Sequence, residues 1–242
     1  MVSIDTVYQK VQAIANKEQR GYITPLEFNL FANQAQLDIF EQYFYDLNQF
    51  RRVNGNDTVY GDMVDFLEEK IDIFRAAIGE SITSNFTVVG NGYRLPSYIY
   101  RIDQVRINDK QCQRLTGKKY NLVRTSPLTK PTPARPIFTI REDVILVNDG
   151  VSDDGNGYVD FEEKSINISY IKKPTSPKWN GFNVGTGFLY NETGSNNFDL
   201  HGSEENKLVI KILQLAGVSI KDPNLYQIAS AEDTKNIQQE KQ

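Results

Sequence analysis

Asn85–Pro96 reads NFTVVGNGYRLP, and its two-residue period decides the fold class. Residues alternate on both sides of Asn91-Gly92, a dipeptide suited to the tight turn of a hairpin, so the stretch predicts two paired strands. Before about residue 84 the apolar side chains recur at spacings of three and four; after it they recur at two. The chain therefore passes from helices into a β region, and an α+β protein is the expectation.

Working back from the hairpin, Ile4, Val7, Tyr8, Val11, Ile14 and Ala15 share one face of a helix over about residues 3 to 17. Thr24, Pro25, Leu26 and Glu27 form T-x-x-E with proline at the first helical position, a capping box, and Ile23 and Phe28 can close a hydrophobic staple across it. The helix that follows carries Phe28, Phe31, Ala32, Ala35, Ile39, Tyr43, Leu47 and Phe50 on one face until Asn54-Gly55-Asn56-Asp57 breaks it. A third helix sets Met63, Phe66, Leu67, Ile71, Phe74 and Ile78 on a stripe and ends near Gly79.

Working forward, strands are expected at Ile99–Asn108, Lys110–Leu115, Ile137–Asp143, Val144–Asp149 and Ser165–Lys173. Leu122–Pro136, rich in proline, reads as an ordered surface excursion. Asn180–Asn197 offers no clear element and reads as a long arm or loop. Helix returns at Ser203–Gly217 and again after Asp222-Pro223. The expected organisation is an N-terminal long-helix bundle (1–82), a central, mostly antiparallel β-domain with long loops (83–200), and C-terminal helices (201–242) packing back on the bundle.

The 242 residues, 39% hydrophobic and 24% charged, are those of a folded protein with one large or two modest cores. No run approaches the roughly 18 apolar residues of a membrane span, and MVSIDTVYQK lacks a leader's basic and apolar regions, so a cytosol-like site of synthesis is expected. Cys112 is the single cysteine and reads as a small semi-buried side chain; with His201 as the single histidine, no Cys/His zinc set exists.

Charge is unevenly distributed. Residues 101–141 hold ten basic side chains (Arg101, Arg106, Lys110, Arg114, Lys118, Lys119, Arg124, Lys130, Arg135, Arg141) against Asp103 and Asp109, a net +8; residues 142–163 hold eight acidic ones and no Lys or Arg, a net −8. Adjacent blocks of opposite sign suit a surface that meets copies of itself or a charged partner, and equally suit scattered solvated charge.

Within the acidic block, SDDGNGYVDFEE (Ser152–Glu163) has the ligand spacing of an EF-hand loop: Asp154, Asn156, the Tyr158 carbonyl, Asp160 and Glu163, with Gly157 at the turn and Val159 at the apolar position. Ser152 stands where the first carboxylate belongs, and the flanks have strand rather than helix character. A plain acidic loop between strands is the main reading; a calcium-binding module centred on Asp154, Asn156, Asp160 and Glu163 is the alternative. A weaker likeness at Asn16–Glu27 is explained by the capping box. Phosphate-binding glycine loops and G-x-S-x-G are absent, and His201 is the sole imidazole base, so no catalytic, cofactor or metal residues are assigned and no enzyme is expected. Tyr100 and Tyr120 are not regularly interleaved with the basic residues, which argues against sequence-specific nucleic-acid binding and leaves non-specific contact with passing DNA open.

Four segments, YRLPSYIYRIDQVRIND (93–109), YNLVRTSPLTKPTPARPIFTIREDVILVND (120–149), INISYIKKPTSP (166–177) and FDLHGSEENKLVIKILQLAGVSIKDPNLYQIA (198–229), taken in order, are similar to head-to-tail connector proteins of tailed bacteriophages, the adaptor or ring proteins beneath the portal. RGYITPLEFNLFANQAQLDIFEQYF (20–44) likewise resembles the N-terminal helices of such proteins in crAss-like and related short-tailed phages. The resemblance implies a virion structural protein, assembled in the host cytoplasm, without cofactors or membrane association. It further implies a homo-oligomeric ring, commonly twelvefold, that docks on the portal protein, meets adjacent tail or ring proteins and extends the DNA channel. The acidic loop is not part of that pattern.

Overall fold

A computed structural model of the chain describes residues 1–17, 23–52, 58–78, 87–151, 166–185, 187–219, 231 and 234–235. In chain order the elements are α1 (Ile4–Lys17), α2 (Pro25–Arg52), α3 (Thr58–Asp72), β1 (Arg75–Ile78), β2 (Thr87–Val89), β3 (Gly92–Arg94), β4 (Ile99–Ile107), β5 (Lys110–Gln111), β6 (Gln113–Arg114), α4 (Gly117–Thr125), β7 (Ile137–Arg141), β8 (Val144–Asn148), β9 (Ile166–Lys172), β10 (Gly181–Val184), β11 (Gly187–Tyr190) and α5 (Glu205–Ser219). The protein is α+β with largely antiparallel sheets.

The chain divides into two units, Met1–Phe74 with Pro174–Gln242, and Arg75–Lys173. These boundaries replace those at 82/83 and 200/201, for two reasons. The third helix stops at Asp72, and Arg75–Ile78 instead pairs antiparallel with β9; Ile71, Phe74 and Ile78 keep a helical spacing in sequence although the backbone has already turned. After Lys173 the chain rejoins the helices, so that the β unit is an insertion between Phe74 and Pro174.

In the helical unit α2 begins as its sequence dictates. The Thr24 backbone N–H donates to Glu27 Oε2 at 3.0 Å, and the Glu27 N–H donates to Thr24 Oγ1 at 3.3 Å, so each side chain satisfies an otherwise orphaned amide. Ile23 and Phe28, the staple residues, are both buried. Hydrogen bonds from the Thr24 backbone, and then from its hydroxyl, hold the Glu27 carboxyl below its ordinary range. A carboxyl depressed in the folded state contributes fully above its unfolded pKa and loses that contribution as pH falls through the folded value. Urea midpoints of the wild type and Glu27→Gln are therefore expected to differ at pH 7 and to converge as pH drops below about 4. A difference that stays constant over this range contradicts the capping assignment.

Ile4, Val7, Tyr8, Val11 and Ala15 of α1 face the core as expected, whereas Ile14 is 40% exposed. Helix α2 buries Phe28, Ala32, Ala35, Ile39, Phe40 and Tyr43, together with Gln36 and Asp46, which the apolar pattern did not include. Helix α5 packs on α1 and α2 and buries Leu208, Ile212 and Ala216, as the bundle expectation required. The second C-terminal helix, read after Asp222-Pro223, lies almost entirely outside the described residues.

The returning segment is stitched to the helices by polar side chains. Asn29 accepts from Trp179 N–H at 2.7 Å and donates to the Trp179 carbonyl at 3.0 Å. Two turns further along α2, Gln36 donates to the Thr175 carbonyl and accepts from Asp199 N–H. Trp179 stacks on Tyr8 at 4.2 Å and donates its indole N–H to Asp5. Val2 forms a bridge with Phe198, which brings the first residues against the segment that precedes α5. Asn180–Asn197, expected without regular structure, contains the β10–β11 hairpin and a 3₁₀ turn at Glu192–Gly194.

The β unit has a four-stranded sheet in the order β1-β9-β4-β5 and a five-stranded sheet in the order β2-β3-β8-β7-β6, whose β6–β7 pair alone is parallel. Ile102, Val105, Ile107, Ile166, Ile168 and Tyr170 from the first sheet share a core with Tyr93, Phe138, Ile145 and Val147 from the second. The alternation of β4 and β9 thus buries one face of each strand. The β2–β3 turn is Gly90-Asn91, one residue before the expected Asn91-Gly92: Gly90 takes φ 61, and Gly92 sits in strand where a Cβ would lie 2.6 Å from Leu146. Asn108 and Asp109 take φ 44 and 64 between β4 and β5, the conformation of a type I′ hairpin. Leading into the proline-rich excursion the chain folds α4 around the fully buried Tyr120, a helix the polar sequence did not announce.

Candidate functional site: an arginine-lined cleft in the β unit

The residues singled out in the sequence are dispersed. Asp154, Asn156, Asp160 and Glu163 lie outside the described residues. Among the described residues no group of three or more His, Cys, Asp and Glu side chains is gathered as a metal would require. Cys112 is buried, and burial first, then the nearby Asp149 carboxylate, pushes its thiol up to about 12, far from the range of a reactive thiolate. His201 is exposed and caps the 3₁₀ turn Gly202–Glu204, its Nδ1 accepting from Ser203 N–H at 3.2 Å. Tyr120 is wholly buried and offers no stacking face, whereas Tyr100 is 46% exposed.

Tyr100 belongs to a cleft of about 690 Å³ at one end of the β unit. Its walls come from both sheets: Arg94 ends β3, Arg114 ends β6 and Ile140 lies on β7, while Ile99, Arg101 and Ile102 open β4. All three arginines are exposed, and among the described residues none has an ion-pair or hydrogen-bond partner. Glu142 and Asp143, in the β7–β8 turn, complete the rim without coming within 4.0 Å ion-pair distance of those guanidiniums. A planar guanidinium presents five N–H donors and no acceptor, so three of them unpaired in one concavity can recognise carboxylate or phosphate oxygens.

Positive charge continues beside the cleft. Arg141 is held toward α4 by a bond from its Nη2 to Asn121 Oδ1, and Lys118 and Lys119 stand exposed in the first turn of α4, where the helix dipole is also positive. Nine of the ten basic residues between 101 and 141 are exposed, Arg124 being half-buried. This charge is visible in the sequence, but Arg94 lies outside the basic block, and only the sheet topology brings it together with Arg101 and Arg114.

The helical unit presents a different surface. In the β10–β11 hairpin Phe182 pairs with Leu189 across the strands, and both are exposed, at 57% and 63%; Phe188 is exposed as well. Among its buried charges, Lys70 pairs with Glu204 at 2.5 Å, at side-chain exposures of 9% and 3%, with the ammonium 4.4 Å from the Phe66 ring centroid.

No protein-family model matches the chain, and no curated protein matches it.

Proposed function

We propose that this protein is a structural subunit of the head-to-tail connector of a tailed bacteriophage. In this reading it has no chemistry of its own, forms a homo-oligomeric ring, docks on the portal protein, continues the DNA channel and receives the next ring or tail component in the virion. The observation that carries the assembly role is the β10–β11 hairpin. Three large apolar side chains exposed within eight residues, Phe182, Phe188 and Leu189, are what a protein covers on assembly rather than leaves in water. The virion setting comes from the resemblance, whose segments supply β3, β4, α4, β7, β8, β9 and α5. The exposed basic residues of the β unit suit a lining that DNA passes without sequence readout.

The test is a Phe182→Ser/Leu189→Ser variant. Both side chains are already exposed, so the unfolding free energy from urea titration is expected to stay within about 0.5 kcal/mol of the wild type, while ring formation and portal binding are lost. A variant that still forms rings and binds portal overturns the assignment of this hairpin as an assembly surface.

A further inference from the structure

We propose that the arginine-lined cleft receives the acidic segment Ser152–Glu163 of a second copy of the chain, so that each β unit carries both halves of a head-to-tail contact. For its setting the proposal rests on the ring-forming connector reading above. Its warrant is that Arg94 and Arg101 lie at one end of the unit and the root of the acidic segment at the other. The cleft is built at the start of β4, where Ile99 pairs with Lys172, and at the β7–β8 turn. The acidic segment is rooted at the other end: the chain leaves β8 at Asn148 and re-enters β9 at Ile166, which pairs with Ile107 at the far end of β4. Arg101 and Ile107 are six residues apart on that strand, about 20 Å at ~3.3 Å per residue.

The root is firmly set. Asn148 and Asp149, both buried, accept from the Gly150 and Val151 N–H groups, and Gly150, at φ 77, approaches the Pro131 carbonyl so closely that a Cβ there would lie 2.0 Å from its oxygen. From this root the segment Ser152–Glu163 contributes Asp153, Asp154, Asp160, Glu162 and Glu163 with no Lys or Arg. Five carboxylates complement three unpaired guanidiniums through bidentate, charge-assisted bonds. Reaching Arg94 and Arg101 of its own cleft would take nearly all of residues 152–165 in a fully extended path out and back, whereas a neighbouring copy can present the segment to them directly. A contact between two different faces is heterologous, and repeated with a closing rotation it generates a ring.

The test uses two full-length variants. The cleft variant carries Arg94→Ser, Arg101→Ser and Arg114→Ser; the loop variant carries Asp153→Asn, Asp154→Asn, Asp160→Asn, Glu162→Gln and Glu163→Gln. Masses are measured in solution at low salt, where exposed charge pairs are least screened. The wild type is expected to assemble, each variant alone to stay monomeric, and their mixture to stop at a one-to-one dimer, because one intact cleft meets one intact acidic segment. Variants that each assemble like the wild type overturn this contact and leave the connector reading standing. Loss in the cleft variant with normal assembly of the loop variant overturns the acidic segment as the occupant. Monomeric variants that do not pair on mixing overturn the complementarity. A wild type that neither self-assembles nor joins a portal sinks the connector reading itself.

Discussion

Trp179→Ala is expected to destabilise the helical unit by about 3–5 kcal/mol, the range for deleting a buried aromatic side chain. The residue is 3% exposed and joins three parts of the unit: it stacks on Tyr8 of α1, bonds Asp5 through its indole N–H, and its backbone is held by Asn29 of α2. Gly181 lies so close under the ring that a Cβ would come 2.6 Å from Cη2, so the neighbourhood has little freedom to rearrange around the ring. Alanine leaves a cavity against Tyr8 and an acceptor on Asp5 without its donor. Trp179→Phe retains most of the stacking and loses the one hydrogen bond, for about 1 kcal/mol. The indole is the only tryptophan in the chain, so its fluorescence in urea follows closure of this unit in the wild type, and far-ultraviolet circular dichroism follows the variants. A loss for Trp179→Ala below about 1 kcal/mol would show that the returning segment is not anchored here.

Lys70→Met is expected to cost a similar amount, about 3–5 kcal/mol, because it leaves the buried Glu204 carboxylate without its ion-pair partner. The double variant Lys70→Met/Glu204→Met is expected to recover most of that loss, since an apolar pair of similar volume avoids the desolvation of both charges. On heating, the single variant melts on the order of 10 °C lower and the double variant near the wild type. The pair joins α3 to the 3₁₀ turn that leads into α5, so it contributes to holding α5 in place. Equal melting temperatures for the single and double variants would contradict this account.

Both predictions concern features that the sequence showed only in part. The start of α2 was fully legible, because Thr24 and Glu27 are near neighbours whose bonds depend on local geometry alone. The strands of the β unit were legible because β4, β8 and β9 are buried on at least one face and alternate or run apolar accordingly. The closure of the helical unit was hidden. Asn29 and Gln36 look like surface residues of an amphipathic helix, yet they hold the backbone of residues 175, 179 and 199. Nor did the β10–β11 hairpin declare itself: glycines at 181, 185 and 187 interrupt the pattern, and its apolar side chains Phe182, Phe188 and Leu189 face outward instead of into a core. Strand β1 was read as helix because Ile71 and Phe74 bury at helical spacing before the chain turns to pair with β9.

The arginine cleft stands between these cases. Arg101 and Arg114 belonged to a basic block visible as composition, but a run of charge gives no direction. Arg94 is three strands away from Arg114 in the five-stranded sheet, and the two line one concavity with Arg101 because the sheets share a core and open at that end. Long-range pairing of this kind cannot be inferred from periodicity, which reports only the burial of a strand's own faces.

The connector reading is tested most directly by electron microscopy of the purified full chain, alone and mixed with a phage portal protein. The account predicts closed rings, free or seated on the portal. A protein that stays monomeric and joins no portal contradicts it.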